Sequence, residues 1–149
     1  MISDRTLVCS ILLVVSISIL QTHVFVANAV TAAAVQLTMP ELKSIHSTIQ
    51  DKVSVGNQVF ISTTLANMDA EHPRPFLAFI EVRNSVGISM QISSVSSVIP
   101  RDGLLEISAS WVLYSSDAYV LRTFAVTGFE NPEILSIVVE RHVVVTDDS

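Results

Sequence analysis

This 149-residue sequence has only one cysteine, and its few lysines and arginines form no cluster. Its single cysteine, Cys9, lies in an apolar N-terminal stretch, so the rest of the chain has no thiol for a disulfide framework, a cysteine-based zinc site or a catalytic nucleophile. Only 15% of the residues are charged, and the net charge is −6. Because phosphate contacts require clustered Lys and Arg, an acidic chain without such a cluster is not expected to bind nucleic acid.

The sequence also lacks the motifs of common catalytic and ligand-binding sites. It contains no glycine-rich phosphate loop, no H-E-x-x-H or G-x-S-x-G motif and no D-x-D-G calcium loop. Soft ligands for copper are scattered along the chain without a ligand spacing: His23, His46, His72, His142, Met39, Met68 and Met90. We therefore expect no enzymatic activity, no cofactor and no metal site, and a copper-handling role is the weakest alternative.

An apolar run near the N-terminus predicts export of the chain. Residues 7–20 follow Arg5 and have the length and composition of a signal-peptide core, and Ala27 and Ala29 form an A-x-A cleavage pattern. Residues 7–26, however, are also long enough and apolar enough to span a bilayer. The segment is therefore either a cleaved signal peptide or a lasting membrane anchor.

In both cases the amino terminus stays inside and the remainder of the chain is exported. Residues 1–36 are interpreted as a signal peptide or a single transmembrane helix. Residues 37–149 are interpreted as one folded domain, either secreted or anchored on the extracytoplasmic side of the membrane.

Short segments of alternating apolar residues, separated by turn signals, predict an all-β fold for this domain. Leu105, Ile107 and Ala109, for example, alternate with polar residues directly after the turn sequence PRDG at residues 100–103. The predicted strands lie near residues 43–50, 59–65, 77–83, 88–92, 105–113, 119–126 and 135–145. Seven such strands predict an immunoglobulin-like, fibronectin-type-III-like β-sandwich.

The alternation also predicts which side chains form the core. Trp111 and Tyr119 are expected to be buried, with the Tyr119 hydroxyl bound to a backbone group near the sheet corner. In such a sandwich the third, sixth and seventh strands lie side by side in one sheet. The residues of these strands expected to face the core are Ala78, Ile80, Val82, Tyr119, Leu121, Leu135, Ile137 and Val139.

Four stretches together resemble a known module: SVGNQVFISTTLAN, PFLAFIEVRNSVG, LLEISASW and AYVLRTFAVTGFENPEILSIVVERHVVV. They resemble fibronectin-III-like and CARDB-like sandwich modules in the order of three strands. These are a V-G-x-x-V strand, an E-x-x-x-x-W strand and a Y-x-x-x-x-F strand that is followed by an N-P loop. Such modules are those of secreted or membrane-anchored archaeal surface proteins, especially those of ammonia-oxidising archaea. The resemblance covers roughly residues 44–145 and departs from the family pattern at Ala118, where a glycine is common. It implies a fold, and it implies no catalytic residues.

The outer side of the sheet with the third, sixth and seventh strands is predicted to be apolar. The proposed partner-binding residues there are Leu77, Phe79, Val120, Arg122, Phe124, Val126 and Val138, and the surrounding charged residues are Glu81, Arg83, Arg122, Glu140 and His142. An antiparallel sheet normally presents polar residues to water, so an apolar patch with a charged rim predicts an interaction surface. Two alternatives remain: a loop at residues 93–101 covers the patch, or one strand has the inverted register.

Three functions remain open at this point. The leading one is a non-enzymatic extracytoplasmic sandwich that binds or scaffolds other envelope or membrane proteins. The second is a single-span accessory subunit of a membrane enzyme complex, such as an ammonia monooxygenase-type complex. The third is the copper-handling sandwich.

Overall fold

The structure is a computed structural model that describes residues 33–46, 48–50 and 52–147. The signal peptide or transmembrane helix predicted from residues 7–29 lies outside this described part of the chain. Within the described part, no helix has the length and apolar character needed to cross a bilayer.

Nine β-strands are found among the described residues. They are β1 (Val35–Leu37), β2 (Glu41–Lys43), β3 (Val53–Ser54), β4 (Gln58–Asn67), β5 (Arg74–Arg83), β6 (Ser89–Ile99), β7 (Leu104–Val112), β8 (Asp117–Val126) and β9 (Val139–Thr146). The sandwich already includes the buried Val35, two residues before the predicted start of the domain at residue 37.

The strands form two sheets. In the first sheet β4 pairs antiparallel with β1 and β2 and, along its other edge, with β7. The second sheet has the order β3-β9-β8-β5-β6, antiparallel except for the parallel pair of β3 and β9. The third, sixth and seventh predicted strands correspond to β5, β8 and β9, which lie side by side as predicted.

The core lies between the two sheets and follows the predicted alternation. Ala78, Ile80 and Val82 of β5 are at most 1% exposed, as expected for residues that face the opposite sheet. Trp111 and Tyr119 are both buried, and their rings meet edge to face with centroids 5.0 Å apart. The Tyr119 hydroxyl donates a hydrogen bond to the Ser115 carbonyl oxygen at 3.0 Å, so the predicted backbone contact is confirmed.

The predicted alternation fails in residues 135–139. Leu135 faces the core as expected, and the half-buried Val139 lies opposite the buried Thr123 on the core side, but Ile137 is 71% exposed. The reason is that Leu135 and its neighbour Ser136 are both buried, which interrupts the two-residue period. The Leu135 amide donates to the Ala125 carbonyl, while the Ala125 amide donates to Ser136 Oγ at 2.8 Å. Regular strand β9 therefore begins only at Val139.

The fourth strand is longer than predicted, because β6 continues to Ile99 and does not end near residue 92. The segment at residues 93–101, considered as a covering loop, is mostly strand and extends the second sheet sideways at its edge. The serine-rich sequence SSVSS resembles a loop in composition, yet all five residues pair with β5. The outer face of the sheet is therefore not covered by this segment.

Candidate functional site

Two aromatic side chains lie next to each other on the outer face of the second sheet. The antiparallel register of β5 and β8 places Phe79 directly opposite Phe124. Their rings stack with centroids 5.1 Å apart and an interplanar angle of 22°. Such a pair forms because both residues occupy outward positions between core-facing neighbours, Ala78 and Ile80 on β5 and Thr123 and Ala125 on β8.

The loop after β8 brings a third ring to the same place. It is closed at its base by a bridge between Val126 and Ile134 and by a hydrogen bond from the Thr127 amide to the Glu133 carbonyl. Phe129 at the loop tip meets Phe79 edge to face, with centroids 6.1 Å apart. Phe129 is nevertheless 74% exposed, so most of its ring faces water.

We call this surface the aromatic patch. It consists of Phe79, Ile92, Phe124, Val126, Phe129, Ile134 and Val138. Except for Phe129, these side chains line a groove with a volume of about 480 Å³. Ile134 is the most exposed of them, at 84%. An outer sheet face is normally polar, so a groove lined by these apolar side chains is an unusual feature of this surface.

A row of alternating charges closes one end of the groove. Arg83 Nε donates to Glu81 Oε1 at 2.8 Å, and Arg122 Nη1 donates to Glu81 Oε2 at 2.8 Å. Arg122 Nε then donates to Glu140 Oε1 at 2.7 Å. We call these four residues the ion-pair row. The row fixes the guanidinium of Arg122 at the border of the aromatic patch, because two carboxylates hold it from two sides.

Glu81 is the buried member of the ion-pair row, with a side chain only 7% exposed. Burial alone raises the pKa of its carboxyl group, but hydrogen bonds from Ser89 Oγ, Arg83 and Arg122, together with the charge of Arg83, lower this pKa by more. The net pKa of Glu81 therefore lies below its ordinary value. The pKa of Arg122 is raised, mainly by its hydrogen bond to Glu140 and then by that to Glu81. Both pKa shifts favour the charged forms of Glu81 and Arg122.

The structure brings together five of the seven residues that were predicted to bind a partner. Five of them line the groove: Phe79, Arg122, Phe124, Val126 and Val138. Leu77 lies on the same face but is only 3% exposed, so it is not accessible for direct contact with a partner. Val120 lies in a separate shallow hollow on the far side of Arg122.

Three members of the aromatic patch were missed by reasoning from the sequence: Ile92, Phe129 and Ile134. Ile92 was assigned to a strand, and its position opposite Glu81 depends on the register of β6, which the sequence did not determine. Phe129 and Ile134 flank the N-P turn, in which Asn131 adopts a positive φ of 48°. The signal for a tight loop was present there, but nothing in the sequence shows which face the loop folds onto.

The described histidines are not gathered into a site. His46, His72 and His142 are exposed, and His72 Nδ1 lies 3.3 Å from Asp69 Oδ2 within one loop. Among the described residues, no group of three His, Cys, Asp or Glu side chains is close enough to hold a metal ion.

No protein-family model matches this sequence, and no curated protein matches it. Solved structures do match. The C-terminal domain of Wzt has a TM-score of 0.60 at 10% identity, over 78% of this chain and 75% of that chain. A CARDB domain from Pyrococcus furiosus, solved in complex with di-metal ions, has a TM-score of 0.54 at 14% identity, over 79% and 99%.

The described part of this chain has the same β-sandwich fold as the CARDB domain. The resemblance noted in the sequence is thus confirmed at the level of the fold. A β-glucuronidase of glycoside hydrolase family 2 also matches, with a TM-score of 0.54 at 10% identity, but the match covers only 11% of that chain. Similarities at such low identity concern the fold, and they do not transfer a ligand or a reaction.

Proposed function

We propose that this chain is a non-enzymatic, extracytoplasmic β-sandwich that binds or scaffolds other envelope proteins through the aromatic patch. The observation that carries this proposal is the exposed apolar groove on a sheet face that would otherwise be polar. Phe129 and Ile134 remain 74% and 84% exposed there, beside a fully formed ion-pair row.

The composition of the surface fits a protein partner. Aromatic residues and arginine are enriched where protein interfaces carry most of their binding energy, and a charged border is typical of their rim. Full burial of an exposed Phe or Ile contributes about 1.5–3 kcal/mol each, so Phe129 and Ile134 alone offer about 3–6 kcal/mol. This is less than the cost of association, and therefore the partner must also contact the groove and the border.

Charge restricts the class of partner. The chain carries a net charge of −6, so a neutral or basic protein surface is favoured over an acidic one. Arg122 and Glu140 lie at the border of the groove, and Glu140 is 46% exposed. A partner that presents an apolar side chain flanked by a basic residue would match both the groove and Glu140.

The extracytoplasmic location in this proposal is supported by the apolar run at residues 7–29 of the sequence. A reporter active only outside the cytoplasm, fused after Ser149, is expected to be active. Cytoplasmic activity of a complementary reporter at the same position would contradict the location.

The role of the patch is tested with matched surface variants. Phe129→Ser combined with Ile134→Ser removes the two most exposed patch side chains and is expected to abolish co-purification of the partner from native membranes. The control combines Tyr114→Ser with Leu104→Ser, which are 84% and 72% exposed and lie outside the patch. Equal loss or equal retention in both variants would contradict the proposal.

A second pair of substitutions addresses the groove itself. Phe79→Ser and Phe124→Ser together remove the stacked rings and are expected to abolish association while the domain still melts cooperatively. Both rings are only partly buried, and neither belongs to the core between the sheets. If this double variant does not fold, the rings stabilise the domain itself, and the assignment of the groove to a partner fails.

A further inference from the structure

The second sheet ends in a long edge strand, whose register against β5 is irregular only at its start, between Ser89 and Gln91. β6 runs over the eleven residues Ser89–Ile99, and within the described part of the chain no strand pairs with its outer edge. Natural edge strands are commonly shortened, charged or interrupted by proline, since an open edge is a template for another strand. β6 contains no charged residue and no proline.

The other sheet edges differ from β6. β3, at the opposite end of the second sheet, has only two residues. β7, an edge of the first sheet, carries the charged Glu106, and the side-chain amide of Gln91 donates to its Ser110 carbonyl at 2.8 Å. The open edge of β6 is therefore a specific feature and not a general property of this sandwich.

The order of residues in β6 is nearly palindromic. Residues 92–98 have the sequence I-S-S-V-S-S-V, in which β-branched apolar residues and serines are placed symmetrically about Val95. Register with β5 places Ser94 opposite Phe79 and Ser96 opposite Leu77, so alternate residues of this segment lie on the outer face. The outer stripe, Ile92-Ser94-Ser96-Val98, has a branched apolar residue at each end and two serines between them.

We propose that β6 pairs antiparallel with β6 of a second copy of this chain, around a two-fold axis at Val95. In this register Ile92 lies opposite Val98 of the other copy, and Ser94 lies opposite Ser96. Each of these two pairs occurs twice, once on either side of the axis, as an isologous interface requires. The paired segment of seven residues spans about 24 Å.

Symmetry argues for a second copy and against an unrelated strand. Self-pairing requires that residues on the two sides of the axis suit each other, and β6 meets this with an apolar residue opposite an apolar residue and a serine opposite a serine. No charged residue lies between residues 89 and 99, so the symmetric pairing brings no like charges together. The two second sheets become one continuous sheet of ten strands, with both aromatic patches on the same face.

The first test uses the full chain in mild detergent, with the mass of the particle measured over a range of concentrations. Wild-type protein is expected to double in mass as concentration rises. Ser94→Lys combined with Ser96→Lys places positive charges opposite each other at two positions and should raise the dimer dissociation constant by at least about tenfold. Ser108→Lys combined with Ser110→Lys, on the edge strand β7, is the matched control and should not change it.

The second test determines the register by disulfide formation in a Cys9→Ser background. A chain with Ser94→Cys mixed with a chain with Ser96→Cys should form a mixed crosslinked dimer. Ser94→Cys alone should not crosslink, because diagonal neighbours lie about 7–8 Å apart and a disulfide needs a Cβ separation of about 4 Å. Ser108→Cys is the control without crosslinking.

The outcomes separate this inference from the proposed function. A chain that stays monomeric, or a dimer that is insensitive to the two lysines, overturns the pairing of β6. Self-crosslinking of Ser94→Cys alone overturns the axis at Val95. None of these substitutions alters Phe129 or Ile134, so failure here leaves the partner assay on the aromatic patch unaffected.

Discussion

The ion-pair row allows a quantitative prediction for Glu81→Gln. This substitution keeps the shape of the side chain but removes the charged acceptor of Arg83 and Arg122. Hydrogen bonds to charged groups are worth about 1.5–3 kcal/mol each, and breaking a fully buried ion pair costs about 3–5 kcal/mol.

The two arginines reduce this cost. The Arg83 side chain is 39% exposed and can be rehydrated, and Arg122 keeps its hydrogen bond to Glu140. We therefore expect the free energy of unfolding at pH 7 to fall by about 2 kcal/mol, or the melting temperature to fall by about 8 °C. Glu140→Gln is the control, because its side chain is 46% exposed and the loss should stay below about 1 kcal/mol.

The effect of Glu81→Gln must also depend on pH in a defined direction. The folded-state pKa of Glu81 is lowered from its ordinary value of 4.5. A carboxyl group with a lowered pKa stabilises the fold above the unfolded-state pKa, and this contribution is lost as the pH falls through the folded-state value. The difference between wild type and variant should thus be largest at pH 7 and shrink below pH 4.5.

Chemical denaturation of both proteins at several pH values between about 7 and 3 measures this difference. Other carboxylates with a lowered pKa, such as Asp69 and Asp117, are present in both proteins, so their contributions cancel. A difference that is constant over the whole range, or one that is negligible at pH 7, would refute the assigned role of Glu81.

Two further predictions concern stability. Tyr119→Phe removes the hydrogen bond to the Ser115 carbonyl and should lower the free energy of unfolding, measured by thermal melts, by about 1–2 kcal/mol. The control, Tyr114→Phe at an 84% exposed position, should change this free energy by less than about 0.5 kcal/mol. Gly103→Ala places a Cβ atom 2.9 Å from Pro100 Cβ and from its carbonyl oxygen, so the turn must open at a cost of about 1–3 kcal/mol. Gly128→Ala, where no atom lies within 4 Å of the added Cβ, should be nearly neutral, and equal costs at the two glycines would contradict the contact.

Much of the fold was predictable because strand periodicity and turn residues are local signals. The alternation of Ala78, Ile80 and Val82 and the burial of Trp111 and Tyr119 follow directly from it. Periodicity is informative wherever one face of a strand is fully buried, since a one-residue shift there would expose the core.

The candidate site was less predictable because it depends on contacts between distant segments. Phe79 and Phe124 were placed on one face by strand alternation, and the structure stacks them. Phe129 joins them only through a loop whose direction is set by tertiary contacts. Ile137 was misplaced because Ser136 uses its hydroxyl group to bind the Ala125 amide, a side-chain contact that has no periodic signature.

Contacts between the N-terminal strands and the C-terminal segment also limit how early the domain can fold during synthesis. The Val35 amide donates to the Leu135 carbonyl, and Val53 of β3 pairs with Val145 of β9, so β1 and β3 each depend on a segment near the end of the described chain. About 100 residues separate the members of each pair, which takes about 5–20 s to synthesise at typical rates. During that interval β1 and β3 lack their native neighbours from the end of the chain, so their apolar side chains are exposed to non-native association until synthesis is nearly complete.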